Sequence, residues 1–400
     1  MTRVYLLEPE LGPAWYPFGD CRPICELRAG IWLIRERWEA VAEGETAAVF
    51  GPEHLRSFVE PGAPAVRART AVEGPAILGR SDFAPSGEPP ELGPGPARLI
   101  NDGVTVGWWV PEGHRWEEHA TDGAAVELAG LPLHGAYDLI TALEHFLQPD
   151  AADFTNERGD GVPDGCTVIG DPGDVVILGG QVEPGVVFDV RDGVVVIEQG
   201  ARVAAGARLE GPVFVGPGSE VLGDTVRWCV IGPRCKVRGE VTTSVFGGYA
   251  NKAHYGFVGH SAVGHWVNLG AGTTTSNLKN TYGSVRVRVG QELVDTARQF
   301  LGSLVGDHAK TAIGTLLETG TVVGCGANVF GPVRPPKQVA PFAWGDTSQR
   351  VTRDAFLTVA RRVLPRRGVE VTPEIEAMLG AIHDRGTTGN VGGDQLTGSA

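Results

Sequence analysis

The stretch IEQGARVAAGARLEGPVFVGPGSEV, residues 197–221, decides the fold of the larger part of the chain. An aliphatic residue returns there at every sixth position: Ile197, Val203, Leu209, Val215 and Val221. A small or β-branched residue follows four positions after each of the first four, and glycines stand where turns would fall. Six residues form one short strand with its turn, and three such units close one coil of a triangular prism. The stretch therefore predicts a parallel β-helix of hexapeptide repeats.

The repeat extends well beyond this stretch. After an irregular patch at 222–230, the period returns at Ile231 and Val237, and again at Val263 and Leu269. Strands of a β-sandwich also carry Gly and Pro in their turns, but their side chains alternate with period two. A fixed step of six does not suit that alternation, so the pattern favours the β-helix.

The amino-terminal part, residues 1–160, has a different pattern. Apolar residues at helical spacing predict helices around Ile31–Val41 and Tyr137–Phe146, and short apolar runs predict strands at Val4–Leu7 and Ala97–Ile100. The stretch Pro85–Pro96 is rich in Pro and Gly and is predicted to be a surface loop. We therefore expect an α/β domain here.

Three further segments complete the predicted organisation. Residues 161–345 form the β-helix domain, and residues 346–385 form a helical arm. Within the arm, Thr372-Pro373-Glu374 is typical of a helix start. The polar, glycine-rich residues 386–400 are predicted to be a disordered tail.

Composition limits the possible partners. Four hundred residues at 42 % hydrophobic content favour at least two domains, and 58 glycines with 28 prolines indicate many turns. The net charge of −14 argues against nucleic acid or an anionic membrane as partner. Neither a secretory signal nor an apolar run of about 18 residues occurs, so we expect a cytoplasmic protein. The six cysteines have no CxxC spacing, which indicates neither a zinc knuckle nor a disulfide framework.

Four of the ten histidines lie within the repeat region, at His254, His260, His265 and His308. Their clustering suggests a metal site similar to the three-histidine zinc site of the γ-class carbonic anhydrases, which share the prism architecture. The alternative is that His260 and His265, each directly after a glycine, are turn residues that point into solvent. We favour the second interpretation.

A sharper signal is NKAHYGFVGHSAVGHWVNLGAGTTTSNLKN, residues 251–280. It resembles the acetyltransferase domain of the bifunctional enzyme family that makes UDP-N-acetylglucosamine. The resemblance implies a left-handed β-helix, a homotrimer, and an acetyl-CoA site between neighbouring prisms. It also implies that His254 is the general base that takes a proton from a sugar amine, work for which a histidine is suited near neutral pH.

The same resemblance assigns further positions. Asn268 falls where the family contacts the acceptor, the amide of Ala271 where it faces the thioester oxygen, and Asn277 on a further acceptor or acetyl-CoA position. Each of these residues alone would suit an ordinary turn or a crowded coil, but their joint spacing favours function.

The sequence also departs from the family pattern. Thr242 stands in place of a basic residue and Phe257 in place of a tyrosine. The sugar phosphate must then use other cations, and Arg238, Lys252 and Arg227 are the candidates, with a solvated surface as the alternative for each. An additional segment, residues 280–300, has no role that the sequence indicates.

The amino-terminal half resembles the divergent bacterial form of the same enzyme family through RPICELRAGIWLIRERWE, residues 22–39, and Leu99-Ile100-Asn101. That resemblance implies uridylyl transfer from UTP to the sugar phosphate with Mg²⁺. The usual G-x-G-T-x-M loop is missing, so the candidate nucleotide-binding residues are Arg22, Arg28, Arg35 and Asn101. The arginines could clamp a triphosphate. Alternatively, Arg28 and Arg35 solvate one face of the predicted helix.

These observations predict acetyl-CoA-dependent N-acetylation of glucosamine-1-phosphate, coupled to uridylyl transfer that yields UDP-N-acetylglucosamine. Three alternatives stay open: an acetyltransferase for another amino sugar with a non-catalytic amino-terminal domain, a γ-carbonic-anhydrase-like metal hydratase, and a non-catalytic trimeric scaffold.

Overall fold

The computed structural model describes residues 2–10, 12–117, 123–157, 159–289, 292–345 and 349–388. Most of the regular structure consists of short strands, accompanied by four α-helices among these residues. Short 3₁₀ turns lie at Pro13–Trp15, Ile24–Glu26, Glu53–Leu55, Phe154–Asn156, Pro172–Asp174 and Leu364–Arg367. No helix in these ranges is both long and apolar enough to span a membrane.

The amino-terminal domain is an α/β unit around a mixed sheet. Its strands are β1 (Thr2–Leu7), β2 (Arg28–Ala29), β3 (Trp32–Leu33), β4 (Gly44–Phe50), β5 (Val66–Arg67), β6 (Val72–Glu73), β7 (Ala76–Arg80), β8 (Phe83–Pro85), β9 (Ala97–Asn101), β10 (Val104–Val110), β11 (Arg115–Trp116), β12 (Ala124–Glu127) and β13 (Gly130–Pro132). Seven of them form the main sheet, in the order β12-β9-β10-β7-β1-β4-β5. Its helices are α1 (Ile34–Ala42) and α2 (Asp138–Asp153). The two predicted strands and two predicted helices are confirmed, and residues 86–96 carry no helix or strand.

Residues 161–345, called the prism below, contain three series of parallel strands that follow one another around each coil. The first face carries Thr167–Ile169, Val187–Asp189, Val258–Gly259, Thr274–Thr275 and Leu316–Leu317. The second face carries Val175–Ile177, Val195–Ile197, Ala262–Val263, Leu304–Val305, Val322–Val323 and Gln338–Val339. The third face carries Gln181–Val182, Arg202–Val203, Glu220–Val221, Lys236–Val237, Asn251–Lys252, Asn268–Leu269, Lys310–Thr311, Asn328–Val329 and Ala343–Trp344.

Three longer strands, Ala207–Val215, Asp224–Ile231 and Val241–Phe246, turn from the first face onto the second. The patch that looked irregular in the sequence, residues 222–230, falls largely within the middle one. Asp224 and Trp228 adopt positive φ angles of 62° and 51° there. Corners of this kind let the chain turn in fewer residues, which is why the six-residue period is lost locally without a break in the stacking.

The predicted interior of the prism is confirmed. Ile197, Val203, Leu209, Val215 and Val221 all have 0 % exposure. Neighbouring coils pair in parallel, as Val195 does with Val213. This arrangement is compatible with the expected β-helix, and the hand of its coil stays a prediction.

The second face is apolar on its outer side as well. Val196, Phe214, Val230, Val245 and Ala262 alternate with the interior residues and are buried in the core that includes α2. Burying a side chain of this kind contributes about 1.5–3 kcal/mol. The amino-terminal domain is therefore packed on one face of the prism, so that a candidate site has to lie on the first or third face.

The carboxy-terminal arm consists of α3 (Arg353–Val363) and α4 (Pro373–Thr388). Phe356 packs on the prism with its ring centroid 5.0 Å from that of Phe342. The predicted helix start is confirmed, because the Thr372 hydroxyl accepts the Ile375 amide at 3.4 Å. The predicted tail is wrong for 386–388, which belong to α4, and residues 346–348 and 389–400 lie outside the described ranges.

The additional segment 280–300 contains a β-hairpin of strands Arg286–Val289 and Glu292–Asp295. Val285 and Val287 are buried in the core shared with the amino-terminal domain. Arg298 donates to Glu144 at 2.6 Å and to Thr141 at 3.0 Å, both on α2. The segment thus attaches the prism to the amino-terminal domain.

Candidate functional site

The turn of residues 253–257, called the His254 turn below, joins the third face to the first. It follows the strand Asn251–Lys252 and precedes Val258–Gly259. His254 is exposed, and its imidazole has no hydrogen-bond partner in the described part of the chain. An exposed ring without intramolecular partners is free to exchange a proton with a bound ligand.

Asn268 and Ala271 lie one coil further on, directly beside this turn. The Gly272 amide donates to the Tyr255 carbonyl at 2.9 Å, so the two turns are stacked. Asn268 is half-buried and its Oδ1 accepts from Asn251 at 2.8 Å, which leaves its own NH₂ group as a donor. No acceptor for the Ala271 amide is found among the described residues. The structure therefore brings His254, Asn268 and Ala271 together on two adjacent coils.

Asn277 lies at the opposite edge of the first face. Its Nδ2 donates to His260 Nδ1 at 2.9 Å, and the His260 ring stacks on Phe300 with centroids 5.1 Å apart. Burial lowers the pKa of His260 to about 4, so this imidazole is neutral at physiological pH. The first face thus separates Asn277 from His254.

Of the three candidate phosphate ligands, Arg227 and Arg238 have side chains that are 53 % exposed. Arg227 donates to the Thr242 hydroxyl at 3.3 Å, and Arg238 lies 3.4 Å from Asp224. Lys252 is different. Its exposure is 1 %, and its ammonium group donates to the carbonyls of Arg238 and His254. The assignment of Lys252 as a phosphate ligand is therefore corrected, because its charge lies beneath the surface.

A groove that the sequence did not indicate runs along the first face beyond Asn277. It is an open groove lined by residues of the strands Thr274–Thr275 and Leu316–Leu317. Hydroxyl and basic side chains line it, among them Thr274, Thr275, Ser276, Lys279, Thr319, Arg334 and Lys337. Arg334 and Lys337 share the loop between Asn328–Val329 and Gln338–Val339, whereas Lys279 lies far earlier in the chain, so no single local motif joins all three cations.

The remaining histidines have structural neighbours. His265 is 9 % exposed, with its Nδ1 3.3 Å from Glu60, so the expectation that it points into solvent is wrong. His308 stacks on Trp266 with centroids 6.3 Å apart. Within the described ranges, no three His, Cys, Asp or Glu side chains form a group that could hold a metal ion.

The amino-terminal arginines are occupied by intramolecular partners. Arg22 is 2 % exposed, and donates to Asp307 at 2.8 Å and to Glu60 at 2.7 Å. The two carboxylates outweigh burial and raise its pKa above the usual range. Because Asp307 belongs to the prism, this cluster connects the two domains. The guanidinium group of Arg22 is therefore not available to clamp a triphosphate.

The other candidate nucleotide ligands are also hydrogen-bonded within the chain, and of these Arg28 lines the same small cavity as Arg22. Arg35 donates to Glu26 at 2.6 Å, and Arg28 donates to the carbonyls of Ile31 and Gly247. Arg28 precedes α1, so the prediction that it shares a helix with Arg35 is wrong. Asn101 donates to the Leu128 carbonyl at 3.0 Å.

Glu8 follows β1, at the carboxyl edge of the parallel strands, where α/β domains bind ligands. Its carboxylate accepts the amides of Ile24 at 2.8 Å and Cys25 at 3.4 Å. Burial raises its pKa to about 7. A carboxyl group that is bonded to the chain's own amides does not fit the role of a Mg²⁺ ligand, so we derive no step that passes through this ion.

Comparison with known proteins gives two matches. Residues 6–158 match a family model described as Sugar nucleotidyl transferase. A curated protein from Sulfurisphaera tokodaii, named bifunctional sugar-1-phosphate nucleotidylyltransferase/acetyltransferase, is 32 % identical over 91 residues. That match covers 23 % of this chain and 23 % of the relative's length. Both comparisons lead to transferases that act on sugars.

Proposed function

We propose that the chain acetylates glucosamine-1-phosphate from acetyl-CoA on the prism, and that this step is coupled to uridylyl transfer in the amino-terminal half. One observation carries the proposal. The exposed imidazole of His254 and the amide of Ala271, which has no acceptor among the described residues, lie on neighbouring coils. The name of the Sulfurisphaera relative, which joins the same two activities, supports it.

In the proposed reaction, the acetyl group passes directly from CoA to the sugar amine. The sugar amine, held by Asn268, attacks the thioester carbonyl while His254 accepts the proton that the nitrogen loses. The amide of Ala271 stabilises the negative charge on the carbonyl oxygen. The carbon–sulfur bond then breaks, and His254 returns the proton to the leaving thiolate of CoA. The products are the N-acetyl sugar phosphate and free CoA.

The groove beyond Asn277 is suited to the long, anionic acetyl-CoA molecule. Lys279, Arg334 and Lys337 supply positive charge for its phosphates, and the hydroxyl groups supply further donors. A chain as negative as this one needs such a local concentration of cations to attract an anion.

An exposed apolar stripe next to the His254 turn supports assembly into the expected homotrimer. Large apolar side chains reach solvent there: Tyr255 at 69 %, Ile313 at 80 %, Phe330 at 37 %, Val333 at 60 % and Trp344 at 46 %. A contiguous patch of this kind is typical of a subunit interface. A second prism seated on it would enclose the site from the open side.

For the amino-terminal half we propose uridylyl transfer to the acetylated sugar phosphate, on the strength of the match over residues 6–158. The geometry around Arg22 and Glu8 does not contribute to this part of the proposal. In this proposal acetyl transfer comes first, because the acetylated sugar phosphate is the acceptor of the uridylyl group.

The experiment uses the full-length protein with acetyl-CoA and glucosamine-1-phosphate. We expect release of the CoA thiol and an N-acetylated product in the mass spectrum. Addition of UTP and Mg²⁺ should then release pyrophosphate. Galactosamine-1-phosphate serves as the comparison substrate. No thiol release from either sugar would refute acetylation, and pyrophosphate release would be judged separately with N-acetylglucosamine-1-phosphate as substrate.

A further inference from the structure

Lys252 occupies a position that the rest of the fold reserves for apolar or hydroxyl side chains. In the third face, Val237 pairs with Lys252 in the column that points into the prism. The same column holds Val203, Val221, Thr311 and Val329, all buried. A lysine there has to bring its charge out of water, which costs free energy unless the charge is hydrogen-bonded.

The ammonium group reaches the turn between the third and first faces. It donates to the Arg238 carbonyl at 2.6 Å and to the His254 carbonyl at 2.8 Å. These two carbonyls belong to successive coils, so the lysine bridges them from inside the prism. No carboxylate within the described ranges pairs with it, and burial lowers its pKa to about 8.

The neighbouring backbone is fitted to this ammonium group. Gly239 has a φ of +101°, and a Cβ atom there would lie 2.7 Å from the lysine nitrogen. The next coil has Leu269 in this column, and the coil after it has Thr311, whose hydroxyl accepts the Gly270 amide at 3.0 Å. The lysine thus occurs at the coil whose turn presents His254.

We propose that Lys252 is a positioning residue, which holds the His254 carbonyl and thereby fixes the direction of the His254 imidazole toward the sugar amine. This inference rests on the proposed acetyl transfer. An aliphatic residue would fill the column equally well but would leave both carbonyls without a donor and the turn free to rotate. The expected consequence is a loss of catalytic rate with little change in substrate binding.

The first test compares Lys252→Met with Lys310→Met in the full-length protein. Lys310 is the control because its ammonium group also donates to a backbone carbonyl, that of His308 at 2.9 Å, at the opposite end of the third-face strands from the His254 turn. We expect Lys252→Met to lower kcat roughly 10- to 100-fold with KM values for acetyl-CoA and glucosamine-1-phosphate nearly unchanged. Lys310→Met should retain kcat. Retained kcat in Lys252→Met would overturn the proposal, and so would a KM increase confined to the sugar phosphate, since that result marks a phosphate ligand.

Lys252→Gln serves where the Met variant does not fold. Its amide still donates to a carbonyl, so it should recover a measurable part of the wild-type kcat, and a rate equal to wild type would overturn the need for the charged bridge.

A second readout does not depend on activity and separates this inference from the proposed function. In protein labelled with ¹³C at histidine, the ring signal of His254 is identified by its loss in His254→Ala. We expect it to shift or broaden in Lys252→Met, while the signal of His114, exposed in the amino-terminal domain, stays in place. An unmoved His254 signal in a folded variant would refute the positioning role, even if the wild-type protein proves inactive in acetylation.

Discussion

The His254 turn and the segment around Arg22 both carry polar side chains on irregular backbone, yet their surroundings are opposite. His254 is exposed and has no partner in the described part of the chain, whereas Arg22 is 2 % exposed and bonded to Glu60 and Asp307. A side chain whose hydrogen bonds are already made stabilises the fold, and one with unused donors or acceptors can act on a ligand. The comparison therefore supports the proposal that the prism carries acetyl transfer, and it gives Arg22 a domain-joining role.

The largest expected effect on stability comes from Arg22→Met. Loss of the guanidinium group leaves the buried Asp307 carboxylate without a cation and the half-buried Glu60 with only the His265 imidazole beside it, which costs about 3–5 kcal/mol. Urea unfolding followed by tryptophan fluorescence measures the change. Arg80→Met is the control, because its pair with Asp82 is 43 % exposed on the arginine side and its loss should cost less than about 1 kcal/mol. Equal losses in the two variants would contradict the role given to Arg22.

A smaller effect, on activity, is expected for Asn268→Ala. Removal of a donor to the acceptor sugar should lower kcat/KM for glucosamine-1-phosphate by roughly 10- to 100-fold, which corresponds to about 1–3 kcal/mol. Asn328→Ala is the control from the same face, since Asn328 lies beyond Lys310 in the same ladder. Should both variants lose activity to the same extent, Asn268 would have no special place in the site.

Glu8 predicts a pH effect on stability. Its folded pKa of about 7 exceeds the ordinary glutamate pKa of 4.5, so between these two pH values the folded state binds a proton that the unfolded state has lost. The stability from this group is complete below about pH 4.5 and is lost as the pH rises through about 7. In Glu8→Gln, the free energy of unfolding should fall by roughly 1–3 kcal/mol less over this pH range than in the wild type. Thermal unfolding at pH 5 and pH 7.5 checks it, and identical pH dependence in both proteins would contradict the assignment.

The smallest effect is expected for Arg227→Ala. The side chain is half-exposed, so its attraction to a sugar phosphate is screened by water and is worth less than about 1 kcal/mol. The KM for glucosamine-1-phosphate should rise about two- to fivefold with kcat unchanged. Arg202→Ala, on the third face and paired with Glu183, should leave this KM as it is.

The period of six predicted the interior of the prism because each coil repeats the same requirement for a buried aliphatic residue. Local spacing also predicted α1, α2 and α4. Three features could not be predicted from local spacing, because each depends on contacts between residues that are distant in the sequence. Arg22 pairs with Asp307 of the prism, His265 is covered by Glu60 of the amino-terminal domain, and the groove brings Lys279 close to the loop that carries Arg334 and Lys337.

The site itself was predictable only in part. The motif around His254 identified the residues that the structure brings together on adjacent coils. It did not show that Lys252 points inward. A lysine is ordinarily read as a surface residue, whereas Lys252 pairs with Val237 in a column of buried side chains.

The central claim is that His254 carries acetyl transfer without contributing to the fold, and His254→Ala tests it most directly. CoA thiol release with glucosamine-1-phosphate and thermal unfolding are measured on the same full-length preparation, with His114→Ala as the matched histidine control. The predicted result is a rate loss of roughly 10²- to 10⁴-fold at an unchanged unfolding midpoint. An unaltered rate of thiol release would contradict the account.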